Sequence, residues 1–341
     1  VDSQDNTMAI ERGNLSRPHG RALRNPWLTG CAALAALFLA VIPHLDLLGR
    51  GWFPVLQALV PALCLAAAVV ALLLALGRKW VPALLLVSGA VLGLLPTLVP
   101  VAGIPTASPA APLTVFSVNV EHSQADVGAL ADTIKAHRAD VVVLVEVDEE
   151  LISDLLARGV KGILPYRSPT VTPGDTAGTA ILSRFPLKPE PRIPVAEGID
   201  AFDQPSAVIE HPRFGPIRVA AVHPYAPVVD GAYKWRSILG SIDAWQSGHT
   251  DIPMVLAGDF NASHAHPAFR NLARNFADTS AAAGILPIPT WSATGSLPAF
   301  TAIDHILVRG LAPTGWQRVL VPDTDHYGII ATVTGIEPDK P

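Results

Sequence analysis

Eight side chains suited to holding a hard cation or a phosphate stand along this sequence, each where an apolar run gives out. They are Asn119, Glu146, His223, Asp259, Asn261, Asp304, Asp325 and His326. Carboxylate and amide oxygens without cysteine suit Mg2+ or Mn2+, as one ion or two. Imidazoles beside carboxylates carry charge and move protons near neutral pH. Such groups together meet the needs of phosphoester hydrolysis: charge neutralisation, an aligned water and a proton for the leaving oxygen. Taken singly, each has an ordinary reading. Glu146 after Val-Val-Val-Leu-Val reads as the first solvated residue past a strand. His223 before Pro224 reads as a turn, Asp304 as a cap, Asp325-His326 as loop, and Gly258-Asp259-Phe260-Asn261 as an Asx-rich turn. The repetition of one event along one stretch is what argues for a shared site.

Strand ends must carry these side chains. Met254–Ala257 is an apolar run closed by Gly258, and residues two apart in extended chain share a face. Asp259 and Asn261 then point one way and Phe260 back into the core. Similar runs are Leu113–Val118 before Asn119, Val141–Val145 before Glu146, and Thr179–Ser183 before Arg184. Ala207–Glu210 with Ile217–Val222, Ile303–Val308 and Tyr327–Val333 complete the predicted strands. Helices are expected from an Asp126 cap to His137, over Ala232–Gln246, and over Pro267–Phe276 with proline in its first turn. Asp148, Glu149 and Glu150 read as a solvated helix start. This alternation predicts a layered α/β body over residues 113–335, with a short tail at 336–341.

The front of the chain is of another kind. The 341 residues are 50% hydrophobic, with mean hydropathy +0.38, too apolar for an ordinary soluble protein. Trp27–Leu48, Trp52–Leu76 and Trp80–Val101 are each long enough to cross a bilayer core of about 20 residues. A buried core helix is the ordinary reading of any one of them. Three in a row, each starting at Trp, predict three transmembrane helices over residues 27–102. The first is expected to be retained, because no clear small-x-small cleavage site follows it and two more spans do. Arg12, Arg17, Arg21 and Arg24 lie in a polar tail at 1–26, and Arg78-Lys79 lie in the second turn. The positive-inside rule then puts the N-terminus in the cytoplasm and the body outside. Residues 103–112 hold three prolines and form a stiff tether, with a reach of about 30 Å.

Cys31 and Cys64 both fall inside predicted spans, so the body has neither a disulfide framework nor a cysteine-ligated metal. Of 24 basic and 29 acidic residues, 7 and 4 precede Pro105. The remainder, 17 against 25, is acidic by eight charges. That suits divalent cations and argues against nucleic acid as a partner.

Six segments stand in one order: Ser117-Val-Asn119, Leu144-Val-Glu146, Ala221-Val-His223-Pro, Gly258-Asp259-Phe-Asn261-Ala, Ile303-Asp304-His-Ile-Leu and Thr324-Asp325-His326-Tyr. That series resembles the endonuclease/exonuclease/phosphatase family, which includes DNase I-like nucleases, inositol polyphosphate phosphatases and neutral sphingomyelinases. It covers about two thirds of the chain. Thr324 stands where serine is commoner, and no basic loop of the DNA-cleaving kind is evident.

The resemblance implies a four-layer α/β/β/α sandwich with the site where strand ends of both sheets meet. It implies Glu146 as a metal ligand with Asn119 beside it, and Asp259 orienting or deprotonating the attacking water. Asn261 would hold a phosphate oxygen, and Asp304 would keep His326 oriented and charged against the phosphoryl group. His223 would be a second imidazole, and Asp325 would hold a second ion or fix its loop. Arg184, Tyr225 and Trp291 are expected to line a substrate cleft, with surface exposure or packing as the plain alternative. Three spans followed by this body also look like the membrane-anchored VanJ-type actinobacterial proteins linked to teicoplanin resistance. The expected function is an outward-facing metal-dependent phosphoesterase of the cell membrane. Its expected substrate is a lipid-linked or envelope phosphate such as a polyprenyl pyrophosphate. The alternatives are a phospholipase- or sphingomyelinase-type phosphodiesterase, a surface nuclease, and a non-catalytic membrane-tethered binding domain. Oligomeric state is not legible.

Overall fold

A computed structural model describes residues 26–47, 51–101, 104–108, 112–169, 177–199, 201–228, 231–294 and 298–336. The expected basic tail before Pro26, parts of the tether and the last five residues lie outside them. The apolar front holds α1 (Pro26–Val41), α2 (Phe53–Ala58), α3 (Val60–Leu76) and α4 (Trp80–Leu94). The body runs β1 (Leu113–Asn119), α5 (Val127–His137), β2 (Val141–Val147), α6 (Glu149–Ala157), β3 (Tyr166–Arg167), β4 (Gly178–Ser183) and β5 (Leu187–Glu190). It continues with β6 (Ser206–His211), β7 (Gly215–Val222), α7 (Gly231–Ser247), β8 (Met254–Asp259) and α8 (Pro267–Ala273). It ends with β9 (Ala277–Asp278), β10 (Asp304–Arg309), β11 (Ala312–Leu320) and β12 (Tyr327–Thr334).

The strands form two mixed sheets, ordered β11-β12-β1-β2-β4-β3 and β5-β6-β7-β8-β10-β9. Alternation along each central strand sorts its side chains into two cores. In β2, Val141, Val143 and Val145 face the opposite sheet, while Val142 and Leu144 pack under α5 and α6 with Leu130, Ile134 and Ile152. In β8, Val255 and Ala257 face the first sheet, while Met254 and Leu256 pack under α7 and α8 with Trp235, Ile238 and Phe269. Strands buried on both faces read as unbroken apolar runs for this reason. The four layers are α/β/β/α, as the family resemblance implies.

Local signals set the helix ends. The Asp126 carboxylate accepts from the Ala129 N–H at 2.6 Å, and Asp148 from that of Leu151 at 2.8 Å, capping α5 and α6. Four strands escaped sequence reading: β3, β5, β9 and β11. β11 carries Pro313, Gly315, Gln317 and Arg318, lies at a sheet edge and is bulged between Pro313 and Gly315. An edge strand with a solvated face lacks the apolar run that marks a central one.

Of the three expected spans, the helices over Pro26–His44 and Trp80–Thr97 are long and apolar enough to cross a membrane. The middle one differs. Its run breaks at Leu59 into the six-residue α2 and the 17-residue α3, each with a proline as its second residue, Pro54 and Pro61. Proline lacks an amide donor, so the residues ahead of Pro61 lose the continuous ladder. α1 and α4 approach closely at Gly89 and Gly93: a Cβ on Gly89 would lie 2.3 Å from Ala36 Cα. Small residues four apart permit such contact between apolar helices.

The front is bolted to the body by polar contacts. Arg236 pairs with Asp46 at 2.6 Å, and Arg270 donates to the Pro43 carbonyl at 2.5 Å. Buried His266 donates from Nε2 to the Pro54 carbonyl at 2.8 Å, while its Nδ1 accepts from the Ser263 N–H at 2.9 Å. Burial pushes the His266 imidazole down to about 4, against its two backbone hydrogen bonds. Its folded-state value lies below the free value, so its contribution is present above about 6.5 and is lost as pH falls towards 4.

Two outcomes test this architecture. Gly258 sits at φ 145°, and a Cβ there would lie 2.1 Å from the Val222 carbonyl on β7. Gly258→Ala should cost about 3 kcal/mol in chemical denaturation. Wild type should lose more stability than His266→Gln as pH is lowered from 6.5 to about 4, by about 1 kcal/mol per unit, read from paired melting curves.

Candidate active site

The site lies where both sheets run out of apolar residues. The parity that puts Val115, Val219, Val255 and Ile306 between the sheets puts Asn119, His223, Asp259 and Asp304 there too. All four are at most 4% exposed, far too buried for solvated strand ends. Parity alone would send Glu146 the other way, under α5. It does not go there, because β2 is bulged between Val145 and Val147 and Glu146 takes φ 59°. One extra residue re-aims its carboxylate towards the gap between the sheets. The sequence placed Glu146 past the strand; it is a bulge within it.

Antiparallel pairing of β8 and β10 sets Asp304 opposite Asp259. His326, just ahead of β12, completes the group. Its Nδ1–H donates to Asp304 Oδ2 at 2.9 Å, and its Nε2 faces Asp259 Oδ2 at 3.8 Å and Asp325 Oδ1 at 3.6 Å. Burial alone would push this imidazole down. The Asp304, Asp259 and Asp325 carboxylates outweigh it and raise it to about 10. Burial raises the Asp259 carboxyl, with the His326 charge opposing and that of Asp304 reinforcing. Asp259 Oδ1 also accepts from the Asn261 N–H at 2.7 Å, and the Asn261 amide donates to the Pro224 carbonyl at 3.1 Å.

Glu146 sits on the other side of Asp259. The Asn119 amide nitrogen donates to Glu146 Oε1 at 2.8 Å and lies 3.3 Å from Asp259 Oδ2, between the two carboxylates. His223 Nε2 is 3.4 Å from Glu146 Oε1, and His122 Nε2 is 3.4 Å from its Oε2. Burial would raise the Glu146 carboxyl; hydrogen bonds from His223 and Asn119 and the imidazole charges pull it down to about 2. His223 Nδ1 is buried without a hydrogen-bond partner. The ionised Glu146 carboxylate is the kind of oxygen donor a hard divalent cation takes, and Asn119 offers its amide oxygen Oδ1, which accepts from the Glu121 N–H at 2.9 Å. Glu146 and Asn119 would hold it, and it would supply Lewis-acid stabilisation of phosphate charge.

Trp291 and Tyr225 line the cleft, and Trp291 donates from its indole N–H to Asp325 at 2.8 Å. The Asp325 N–H in turn donates to Glu121 at 2.6 Å, so the contacts of Asp325 fix its loop. Arg184 is a correction. It pairs with Asp140 at 2.9 Å, at the start of β2, where Ser183 is in register with Val141. Glu146 is at the far end of that strand, about 17–20 Å away at the usual rise per residue. β4 runs antiparallel to β2, so its last residue lands at the wrong edge.

Sequence reading missed Glu121 and His122, which follow Asn119 at positive φ and turn back to the site. Their closeness to Asn119 in the chain was the available signal. It also missed a brace beneath Asp259–Ala262. His264 Nε2 and His305 Nδ1 both meet Asp278 Oδ2, at 3.0 and 2.9 Å, and His305 Nε2 donates to the Ala262 carbonyl at 2.9 Å. Asp278 lies in an unremarkable stretch, so nothing local marked it.

The arrangement has the parts of a phosphoryl-transfer site. His326, held cationic, can donate from Nε2 to a phosphoryl oxygen. Asp259, poised by burial, can orient a water or take its proton. The Asn261 side chain stands beside it at the cleft.

These features define a metal-dependent phosphoesterase built on two stacked sheets. The profile described as the Endonuclease/Exonuclease/phosphatase family matches residues 116–326, and the chain belongs to that family. Solved structures of the same fold include an endonuclease/exonuclease/phosphatase from Beutenbergia cavernae DSM 12333, at 21% identity, covering 66% of this chain and 72% of that one, TM-score 0.51. A humanized D. rerio TDP2 matches at 16% identity over 66% and 100%, TM-score 0.54. A functionally unknown conserved protein from Enterococcus faecalis V583 matches at 18% over 65% and 100%, TM-score 0.52. At these identities the likeness concerns fold. A search of curated protein sequences finds no match.

The His326–Asp304 pair makes a prediction about pH. The folded value of His326 is raised, so its charge is kept below about 10 and lost above it. Asp304→Asn should shift the alkaline limb of activity to lower pH, by at least about one unit, in a pH–rate profile.

Proposed function

We propose that this protein is a membrane-anchored, outward-facing phosphoesterase using Mg2+ or Mn2+ and acting on a lipid-linked phosphate of the cell envelope, such as a polyprenyl pyrophosphate. The observation that carries this reading is the fixed docking of the apolar helices on the catalytic body through Arg236–Asp46, Arg270–Pro43 and His266–Pro54. With α1 and α4 in a bilayer, those contacts hold the site at its surface. The bias of Lys and Arg towards the N-terminus and the second turn supports an outward face. The described lining of the cleft contains Glu121, Glu146, Asp259 and Asp325 and no Lys or Arg. A polynucleotide backbone needs cationic contacts, so the lining disfavours a nuclease.

The test is turnover by the full chain in detergent with Mg2+ or Mn2+, offered a polyprenyl pyrophosphate, a phosphatidylinositol-type lipid and single-stranded DNA. Cleavage of the first, loss on chelation, and at least about a 10³-fold fall in His326→Ala are expected. Preference for DNA would overturn the substrate, and full activity of His326→Ala would overturn the site. Protease added to intact cells should release the body; complete protection would reverse the orientation.

A further inference from the structure

The catalytic cleft has two unlike halves. It encloses about 700 Å³. One half is the acidic and imidazole group already described. The other is apolar, and part of it comes from the front of the chain: Trp52, Val55, Ala58 and Leu59, facing Val228 and Phe300 of the body. Trp52 is 64% exposed, Val228 45% and Phe300 38%, so this half is open and apolar.

The wall made by α2 is built in place. His266 ties the Pro54 carbonyl to the Ser263 amide, four residues past Asp259. On its other side, Gln57 is 3% exposed, and its amide donates to the carbonyls of Ile42 and Leu45 at 3.0 and 2.8 Å. A buried side-chain amide satisfied by the end of the first apolar helix fixes α2 across that end. α2 thus joins three things: the terminus of α1, the start of α3 and the turn that carries Asp259 and Asn261. A water-soluble phosphoester has no use for such a wall, and exposed apolar surface beside a catalytic group marks a ligand.

We infer that Trp52, Val55, Ala58 and Leu59 form a subsite for the hydrocarbon chain of an amphiphilic phosphate, placing its phosphoryl group at Asp259 and His326 while the rest of the chain stays among the apolar helices. The inference rests on the phosphoesterase reading above and adds to it that the membrane segment itself selects the substrate. The occupant is a lipid tail because the subsite is continuous with helices fit for a bilayer and lacks cationic groups among the described residues. Each methylene moved from water to an apolar wall strengthens binding about fourfold.

The experiment uses the full chain in detergent with Mg2+ or Mn2+. It compares kcat/KM for butyl and octyl phosphate in wild type, Val55→Trp and Ala58→Phe. Partitioning of octyl phosphate into micelles is common to all three proteins and cancels in the comparison. The octyl-to-butyl ratio should fall about tenfold in either variant, because the bulky ring fills the space the tail needs. A misfolded variant would lower both rates but not the ratio. An unchanged ratio in both variants would overturn the subsite and leave the phosphoesterase standing. If no protein hydrolyses either compound, the phosphoesterase reading is decided by the polyprenyl pyrophosphate assay above, and binding decides the subsite separately. Octyl phosphate carrying a terminal diazirine should then label the Trp52–Leu59 peptide of wild type on irradiation. Label confined to other peptides would overturn the subsite.

Discussion

The alternation of side chains along an extended strand is the constraint from which this site follows. Two sheets stack, and every second residue of their central strands faces the gap between them. Over most of its length the gap is filled by Val, Ile and Ala. At one end the same positions become Asn119, His223, Asp259 and Asp304. No separate device is needed to gather four of the polar groups, because the register that packs the core also delivers them. Glu146 needs a device, and the bulge supplies it. Without that extra residue the carboxylate would enter an apolar layer and cost several kcal/mol.

Gathering three carboxylates around His326 in a dry place is expensive unless the charges are balanced. The imidazolium balances part of the negative charge, and the Asn119 amide dipole standing between Glu146 and Asp259 balances part of the rest. A divalent cation held by Glu146 and Asn119 would balance the remainder. Support lies outside this group. The Asp278 carboxylate, paired with both His264 and His305, stiffens the turn that carries Asp259 and Asn261. Asp304 and His305 are neighbours on β10 with opposite duties, one facing the site and one bracing it from behind, again because alternate residues face opposite ways.

The apolar front is more than an appendage. α2 contacts the cleft, and its carbonyl is held by the imidazole of His266, which burial keeps neutral. The proline at the start of α3 is what frees α2 from the helix behind it. The break that shortens this apolar helix turns apolar surface towards a catalytic group.

Much of this was legible in the residues. Runs such as Val141–Val145 and Val255–Ala257 announce strands buried on both faces, and the ordered polar residues at their ends mark the chemistry. The caps at Asp126 and Asp148 are local signals and are where local reading puts them. The apolar lengths of the front were equally plain. What the chain could not tell by itself was distance across it. Arg184 looked like a site residue because it follows a strand, yet strand direction carried it to the opposite edge. The bulge at Glu146 is invisible in a run of valines. The break at Leu59, the brace from Asp278 and the wall from Val55 depend on contacts between segments up to some two hundred residues apart. Composition and period decide which elements form, since those forces act within a few residues. Tertiary packing alone decides which ends of them meet.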